Sequence, residues 1–213
     1  MVNKEGIILI GGGGHCKACI DVIEKDNRYV IMGIIDLHEK IGNTILGYPI
    51  IDCDENLEII AKEFKNFFIT VGFIKSSIRR AELFNQIKSL GGSFPSIYSP
   101  KAQISKYAEV GDGTIVMHGA VINADAKVGN NCIINNQALI EHDVVVSDNS
   151  HISTGAKING ECFVGENCFI GSGTIINHCV KVNSNTIIGS GSVVRKDIVE
   201  SGIYAGNPLR KIK

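Results

Sequence analysis

The sequence has no excess charge of either sign, since its 213 residues include 21 lysines and arginines and 22 aspartates and glutamates. A basic excess would favour nucleic acid or an anionic membrane surface, so neither is expected as a partner. The chain also lacks an apolar run long enough to cross a membrane, and the run near its first residue is too short for a secretory signal. These absences predict a cytoplasmic protein.

The cysteines give no pattern of paired bridges. There are seven, an odd number, which favours reduced thiols over a disulfide framework or a zinc site. Cys16 and Cys19 share one predicted helical face with Ile20, so we expect both thiols in a hydrophobic core. No metal cofactor is predicted.

Residues 1–95 alternate short aliphatic runs with helical patterns, an order typical of βαβ units. The runs "GIILIG", "YVIMGIID" and "FFITVG" predict three buried strands, and residues 78–90 predict a second helix after the one that carries Cys16. We therefore predict an α/β, Rossmann-like half-domain in this part of the chain.

Residues 96–213 repeat every six positions. The aliphatic positions of the repeat are Ile104, Val110, Val116, Ile122, Val128, Ile134, Ile140, Val146, Ile152, Ile158, Val164, Ile170, Ile176, Val182, Ile188 and Val194. A small or β-branched residue follows four positions later, which is the hexapeptide repeat of a left-handed parallel β-helix. Three repeats make one coil, so residues eighteen apart stack at the parallel-strand spacing of about 4.8 Å. Because so thin a coil cannot enclose a substrate, we expect sites on its outside, between neighbouring subunits.

The whole chain resembles the bacterial sugar acyltransferases of the PglD/NeuD-like family, which join a Rossmann-like domain to such a helix. The motifs that carry the resemblance are "GGGGH" after the first strand, "NNQALIEHD", a histidine nine residues after the histidine of that motif, "AKINGECFVG", and "YAGNPLRKI". The resemblance implies acetyl-CoA as co-substrate and a nucleotide-linked amino sugar as acceptor.

His142 lies two positions after the inward-facing Ile140 and directly before Asp143, so its side chain is expected to point outward. A neutral imidazole beside a carboxylate is a suitable general base. The resemblance makes His142 the base that deprotonates the sugar amine, with Asp143 tuning it. It also makes Asn135 an active-site residue that orients the base or the sugar. The alternative is an ordinary surface histidine.

The resemblance assigns acetyl-CoA contacts to His151, Gly160, Ser172 and Ser190. As the last residue of its hexad, His151 is expected at a solvent-facing corner, where it would donate to the thioester carbonyl or hold the pantetheine arm. The Gly160 N–H would polarise the same carbonyl. Ser172 and Ser190 would line the pantetheine groove, or they are exposed turn residues.

The glycine run at 11–14 follows a strand and opens a helix, which predicts an anion site at the helix N-terminus. Cys16 replaces the third glycine of the dinucleotide fingerprint, so the domain is expected to bind a mononucleotide. Asp36 ends the second strand, either as a ribose or base contact or as a turn residue. By resemblance, Gly13, Gly14 and His15 hold the nucleotide-sugar, and a helix cap is the alternative for His15.

The leading hypothesis is transfer of acetyl from acetyl-CoA to the amine by direct attack. O-acetylation of a sialic acid is the alternative within the same family. A zinc carbonic anhydrase on the same helix would need a third histidine with His142 and His178, where the sequence has Asn183. A non-enzymatic scaffold does not account for the nucleotide-binding pattern. A homotrimer is expected, because exposed sites on triangular prisms become clefts when three prisms pack side by side.

Overall fold

The computed structural model describes residues 4–213. The first part is built on a five-stranded sheet of order β3-β4-β2-β1-β5. Its strands are β1 (Glu5–Ile10), β2 (Tyr29–Asp36), β3 (Thr44–Ile45), β4 (Tyr48–Cys53) and β5 (Asn66–Ile69). Its helices are α1 (Gly14–Asp26), α2 (Leu57–Glu63) and α3 (Ile78–Ser89), with 3-10 turns at His38–Lys40 and Asp54–Asn56. Strand pairs are parallel except for β3 with β4.

Helices cover both faces of this sheet. Side chains of β1 therefore point alternately into two hydrophobic cores, one on each face. Ile7 and Leu9 pack in the core that contains the buried face of α1. Ile8 and Ile10 pack in the core formed with α2 and α3. The three predicted strands and both predicted helices are confirmed, whereas β3, β4 and α2 were not anticipated. The β3–β4 hairpin and the seven-residue α2 are too short to show a clear period.

The predicted burial of Cys16 and Cys19 is confirmed. Their Cys-x-x-Cys spacing is one that metal and redox sites also use. Burial raises the pKa of the Cys16 thiol to about 11 and raises that of Cys19 still more. Both thiols are therefore protonated at neutral pH and serve as small apolar core groups.

The second part is a parallel β-helix with three faces. The first, here named the domain face, contains β6 (Ile97–Tyr98), β9 (Ile115–Val116), β12 (Ile133–Ile134), β15 (His151–Ile152), β18 (Phe169–Ile170), β21 (Thr186–Ile188), β23 (Gly202–Ala205) and β24 (Arg210–Lys211). The second face contains β7 (Gln103–Ile104), β10 (Val121–Ile122), β13 (Leu139–Ile140), β16 (Lys157–Ile158), β19 (Ile175–Ile176) and β22 (Val193–Val194). The third face contains β8 (Glu109–Val110), β11 (Lys127–Val128), β14 (Val145–Val146), β17 (Phe163–Val164) and β20 (Lys181–Val182).

The repeat predicts the interior of this helix correctly. From Val116 to Val194 the aliphatic positions are buried in one continuous core, and strand register pairs residues eighteen apart, as in Ile122 with Ile140. From Gly113 to Gly191, every sixth residue has a φ between 53° and 69°. Glycine, asparagine and aspartate adopt this conformation most readily, and they hold most of these corners.

The two parts are joined by an apolar interface on the domain face. Ile97, Ile115 and Ile133 point outward from β6, β9 and β12, and all three are fully buried in the core that includes α1. The proposed boundary between residues 95 and 96 lies between Phe94, in the core with α3, and the first strand of the β-helix. The first domain therefore covers the domain face at these three strands.

Candidate functional site

His142 and Asp143 form a hydrogen-bonded pair at the edge where the second and third faces meet, between β13 and β14. The Nδ1–H of His142 donates to Asp143 Oδ2 over 2.8 Å, which leaves Nε2 with a free lone pair. The hydrogen bond to Asp143 raises the pKa of His142, and the charges of Asp143, Glu141 and Glu161 act in the same direction. The side chain of His142 is 52% exposed, as predicted for an outward residue. The pair has the arrangement of a general base.

Gly160 lies directly beneath the His142 ring, one coil further along. The Glu161 N–H donates to the His142 carbonyl over 3.1 Å, which stacks the two corners. A Cβ at Gly160 would be 2.6 Å from His142 Cε1 and 2.7 Å from Nε2. The Gly160 N–H has no acceptor among residues 4–213. The glycine thus leaves both the ring position and one backbone donor available to a ligand.

The glycine run borders a cavity of about 720 Å³ between the first domain and the domain face. Gly13 is the N-cap of α1, so the unpaired N–H groups of the first helical turn point toward this space. The residues that line the cavity are Gly11, Gly12, Gly13, Gly14, His15, Asp36, Lys40, Thr70, Val71, Gly72, Phe73, Ile74, Lys75 and His151. The helix dipole and two lysines favour an anionic ligand here.

Asp36 lies at the cavity but is already bonded within the protein. Its Oδ2 accepts the Gly12 N–H over 2.9 Å, its Oδ1 accepts the Leu37 N–H, and both oxygens contact Lys40 Nζ. Asp36 therefore fixes the glycine loop against the end of β2. Of its two predicted roles, ribose or base contact and turn residue, these bonds support that of a turn residue.

The expectation that His151 faces solvent is wrong. It points outward from β15, but on the domain face, where the first domain leaves it 7% exposed. Its Nδ1–H donates to the Phe73 carbonyl over 2.9 Å, and its Nε2 accepts from Asn135 Nδ2 over 3.2 Å. Burial lowers the pKa of His151 to about 4. The neutral ring has no N–H left to donate to a thioester, so the geometry supports a role in shaping the cavity.

His15 is the other buried imidazole of the cavity, with its ring centre 6.4 Å from that of His151. Its Nε2 is buried and has no hydrogen-bond partner within residues 4–213. Burial lowers the pKa of His15 to about 3, helped by the charge of Arg80. A neutral ring nitrogen that faces a cavity without a partner is a suitable contact for a ligand.

Asn135, Ser172 and Ser190 lie along the edge between the domain face and the second face. Asn135 contacts His151, so within one chain it does not orient His142. Ser172 and Ser190 are both exposed, and the Ser172 hydroxyl is 2.9 Å from that of Ser153. They are eighteen residues apart, so they stack along the edge as a groove for an extended ligand would require.

The candidate residues therefore fall into two groups within one chain. His142, Asp143 and Gly160 lie on the edge opposite the domain face, because that edge joins the other two faces. The cavity, His15 and His151 lie on the domain face itself. A single chain does not bring the base to the cavity.

A second hydrogen-bonded series has the composition of a hydrolytic triad. Ser99 Oγ is 2.6 Å from His118 Nδ1, and His118 Nε2 is 2.7 Å from Asp21 Oδ2. However, Ser99 is only 3% exposed, and its oxygen already accepts the Lys101 N–H. A carbonyl substrate has no approach to that oxygen, so the series links α1 to the β-helix and is not a nucleophilic site.

Two further observations concern residues 4–213 alone. No group of three or more histidine, cysteine, aspartate or glutamate side chains lies close enough together to hold a metal ion. None of the helices combines the length and the apolar character that a membrane crossing demands.

Several cavity residues were not anticipated from the sequence. Lys40, Lys75 and Phe73 belong to the loops that follow β2 and β5. Since ligands of open parallel sheets bind at the carboxyl ends of the strands, the position of these loops was the available signal. Gly72 was also missed, although a Cβ there would be 3.1 Å from His15 Cβ, so only glycine leaves that ring undisturbed.

Comparison with known proteins gives matches over both parts of the chain. Residues 6–87 match the family model of the PglD N-terminal domain, and residues 107–142 and 161–196 match the bacterial transferase hexapeptide (six repeats). A search of curated proteins finds no match.

Solved structures match along the full length. The acetyltransferase domain of PglB from Neisseria gonorrhoeae FA1090 is 27% identical with a TM-score of 0.91, covering 98% of this chain and 100% of that one. A variant of perosamine N-acetyltransferase from Caulobacter crescentus, solved with CoA and GDP-perosamine, is 27% identical with a TM-score of 0.91, covering 100% and 98%. WeeI from Acinetobacter baumannii AYE, at 23% identity and a TM-score of 0.85 over 98% and 100%, shares the fold.

These matches confirm the predicted fold, a Rossmann-like α/β domain followed by a left-handed parallel β-helix. The two family models occur in the order the sequence predicts, and the solved structures align with both parts at once. The first part of the chain therefore matches a PglD N-terminal domain and the second part matches bacterial transferase hexapeptide repeats, and the whole chain is similar to the PglB acetyltransferase domain and to perosamine N-acetyltransferase.

Proposed function

We propose that this protein transfers an acetyl group from acetyl-CoA to the amine of a nucleotide-linked amino sugar. The observation that carries the proposal is the His142–Asp143 pair above Gly160, on a chain that also has an anion-binding cavity at a glycine run. Two proteins that match the whole chain support it: one was solved with acetyl coenzyme A, and the other with CoA and GDP-perosamine.

In the proposed reaction the sugar amine attacks the thioester carbonyl carbon directly. His142 Nε2 takes the proton that the amine loses, and Asp143 holds the ring with Nε2 free and stabilises the imidazolium. The Gly160 N–H is available to the oxygen that becomes negative in the tetrahedral intermediate. The intermediate then collapses to the amide and releases the CoA thiolate. The pKa values of the buried thiols in the β-helix are raised by burial, as for Cys132 to about 12, so a covalent relay through cysteine is disfavoured.

We further propose that the working enzyme is a homotrimer whose sites are shared between chains. The base and the cavity are on opposite sides of one prism, so the acceptor held in the cavity of one chain would meet His142 of a neighbour. Ser172 and Ser190 lie on the cavity side, where the shared cleft would hold pantetheine. We place the protein in the cytoplasm, consistent with its free cysteines.

The test of the activity is an assay of purified protein with acetyl-CoA and a panel of UDP-, dTDP- and GDP-linked amino sugars, in which thiol release is followed. His142→Ala should reduce turnover by roughly 10² to 10⁴ while acetyl-CoA binding is retained. The chemical stability of the product separates the alternatives. An amide survives mild alkali, whereas the ester made by a sialic acid O-acetyltransferase does not.

The shared site has its own test. His142→Ala retains the cavity, and Gly13→Val retains the base, so neither variant alone should be active at normal acceptor concentration. When the two are assembled together at equal amounts, about one quarter of the sites combine an intact cavity with an intact neighbouring base. Recovery of that fraction supports the shared site, and no recovery would place the whole site within one chain.

A further inference from the structure

Arg80 of α3 is a buried cation for which the reaction above gives no role. It is 1% exposed, and no carboxylate of residues 4–213 forms an ion pair with its guanidinium. Burial lowers its pKa to about 10, so the group is still protonated at neutral pH. An isolated buried charge is costly unless hydrogen bonds and an opposite charge compensate it.

Hydrogen bonds from Arg80 connect both domains. Its Nη1 donates to the Ile69 carbonyl over 2.5 Å and to the Val71 carbonyl over 3.1 Å, at the end of β5. Its Nε donates to the Asn131 carbonyl of the β-helix over 3.0 Å. The Asn131 side chain in turn donates to the Arg80 carbonyl over 3.3 Å. All these acceptors are neutral carbonyls, so they satisfy the hydrogen-bond donors of Arg80 but do not neutralise its positive charge.

The guanidinium lies directly behind the floor of the cavity. Thr70 and Val71 line the cavity, and the same backbone segment presents its carbonyls to Arg80. The Arg80 charge acts on groups that line the cavity. Burial is the main cause of the lowered pKa values of His15 and His151, and the Arg80 charge lowers both further. No water layer lies between a group this buried and the backbone it contacts, so screening is weak.

The two lysines that line the cavity are more exposed than Arg80, and one of them is already paired. Lys40 forms an ion pair with Asp36 at 3.0 Å, and its own side chain is 42% exposed. Lys75 is exposed. A diphosphate at the N-terminus of α1 would therefore find one cation that is both buried and unpaired, and that cation is Arg80.

We propose that Arg80 is a positioning residue that holds the end of β5 against the β-helix and supplies the buried positive charge that strengthens diphosphate binding in the cavity. The inference rests on the proposed function, because it takes the ligand to be a nucleoside diphosphate group. The negative charge of the diphosphate would compensate the positive charge of Arg80, which no carboxylate of residues 4–213 compensates. Arg80 touches no substrate in this arrangement and acts through the loop and the electrostatic potential.

The test compares the affinities of UDP, dTDP and GDP with those of the matching nucleosides, by calorimetry on the full chain. For the nucleotide that binds, Arg80→Met should lower the ratio of diphosphate to nucleoside affinity by roughly ten-fold or more. Arg80→Lys keeps a cation but offers fewer hydrogen-bond donors, so it should lower the ratio less than Arg80→Met does. A purely structural role would lower both affinities by the same factor and leave the ratio unchanged.

A second pair of variants leaves Arg80 in place, in case Arg80→Met does not fold. Cys19 is fully buried, and the Arg80 charge acts on its thiol against the stronger effect of burial. Cys19→Asp places a carboxylate at a position on which the Arg80 charge acts and should lower the same ratio, whereas Cys19→Asn, the matched neutral control, should not. If wild type binds a diphosphate and neither Arg80→Met nor Cys19→Asp changes the ratio, this inference alone is overturned. If wild type binds none of the three diphosphates, the proposed acceptor is wrong as well.

Discussion

Gly160→Ala tests whether the position of the His142 ring governs turnover. The added methyl would lie 2.6 Å from Cε1 and 2.7 Å from Nε2 of His142. Carbon atoms in contact are normally about 3.5 to 4.0 Å apart, so the ring must move by roughly 1 Å. The main chain at Gly160 does not have a positive φ, so alanine is compatible with it.

We expect the ring to move while the backbone stays in place, because the side chain of His142 is 52% exposed and that of Asp143 is 55% exposed. A displacement of about 1 Å in a catalytic group can reduce turnover by about 10²-fold. We therefore expect Gly160→Ala to lower kcat by roughly 10 to 10²-fold, with little change in the temperature of unfolding. Steady-state kinetics with the acceptor and a thermal melt measure the two effects.

The control is the same substitution in a His142→Ala background. If Gly160→Ala acts only by displacing the ring, it should add almost nothing once the ring is gone. Equal losses in both backgrounds would refute the reasoning and show that the methyl obstructs the ligand instead. Full activity of the single variant would show that the ring position over Gly160 is not used in catalysis.

Three further predictions concern the base and the cavity. The base must be neutral to accept a proton, and Asp143 raises the pKa of His142. Asp143→Asn should therefore move the acid limb of the pH–rate profile to lower pH. An unchanged limb would exclude the His142–Asp143 pair as its origin. Asparagine suits the φ of 60° at this corner. Gly13→Val should raise the acceptor KM but not that of acetyl-CoA, because a Cβ at Gly13 meets nothing within 4 Å in the protein and obstructs only a ligand; equal affinity for the acceptor would remove Gly13 from the site. His151→Ala should cost about 2 to 3 kcal/mol of unfolding free energy in denaturant titration, since it leaves a void and an unpaired Phe73 carbonyl. A rise in the acetyl-CoA KM of this variant, with the acceptor KM unchanged, would support the role implied by the family resemblance over the cavity role.

The repeat made the β-helix predictable in detail, because its inward positions recur without interruption from Val116 to Val194. The outward position of His142 followed from its distance to Ile140. Contacts between residues far apart in the sequence were harder to predict. Arg80 appeared as one charge on a predicted helix, and nothing local indicated that the carbonyls of Ile69 and Asn131 would surround it.

The burial of His151 did have a sequence signal. Residues eighteen apart share a column, and the outward column of the domain face reads Ile97, Ile115, Ile133, His151, Phe169 and Ile187. The outward column on the third face contains charged as well as apolar side chains: Glu109, Lys127, Val145, Phe163 and Lys181. An apolar outward column implies that another surface covers it, and His151 is covered with its neighbours.

The nine-residue spacing of the two histidines bears directly on how the site is assembled. A coil contains eighteen residues, as the pairing of Ile133 with His151 and of His151 with Phe169 shows. Nine residues are half a coil, so His142 and His151 must project from opposite sides of the prism whatever their rotamers. No motion of the first domain that leaves the β-helix intact can bring them together within one chain. If both histidines serve one acetyl transfer, the reaction therefore needs a second chain, and the proposed trimer would supply it.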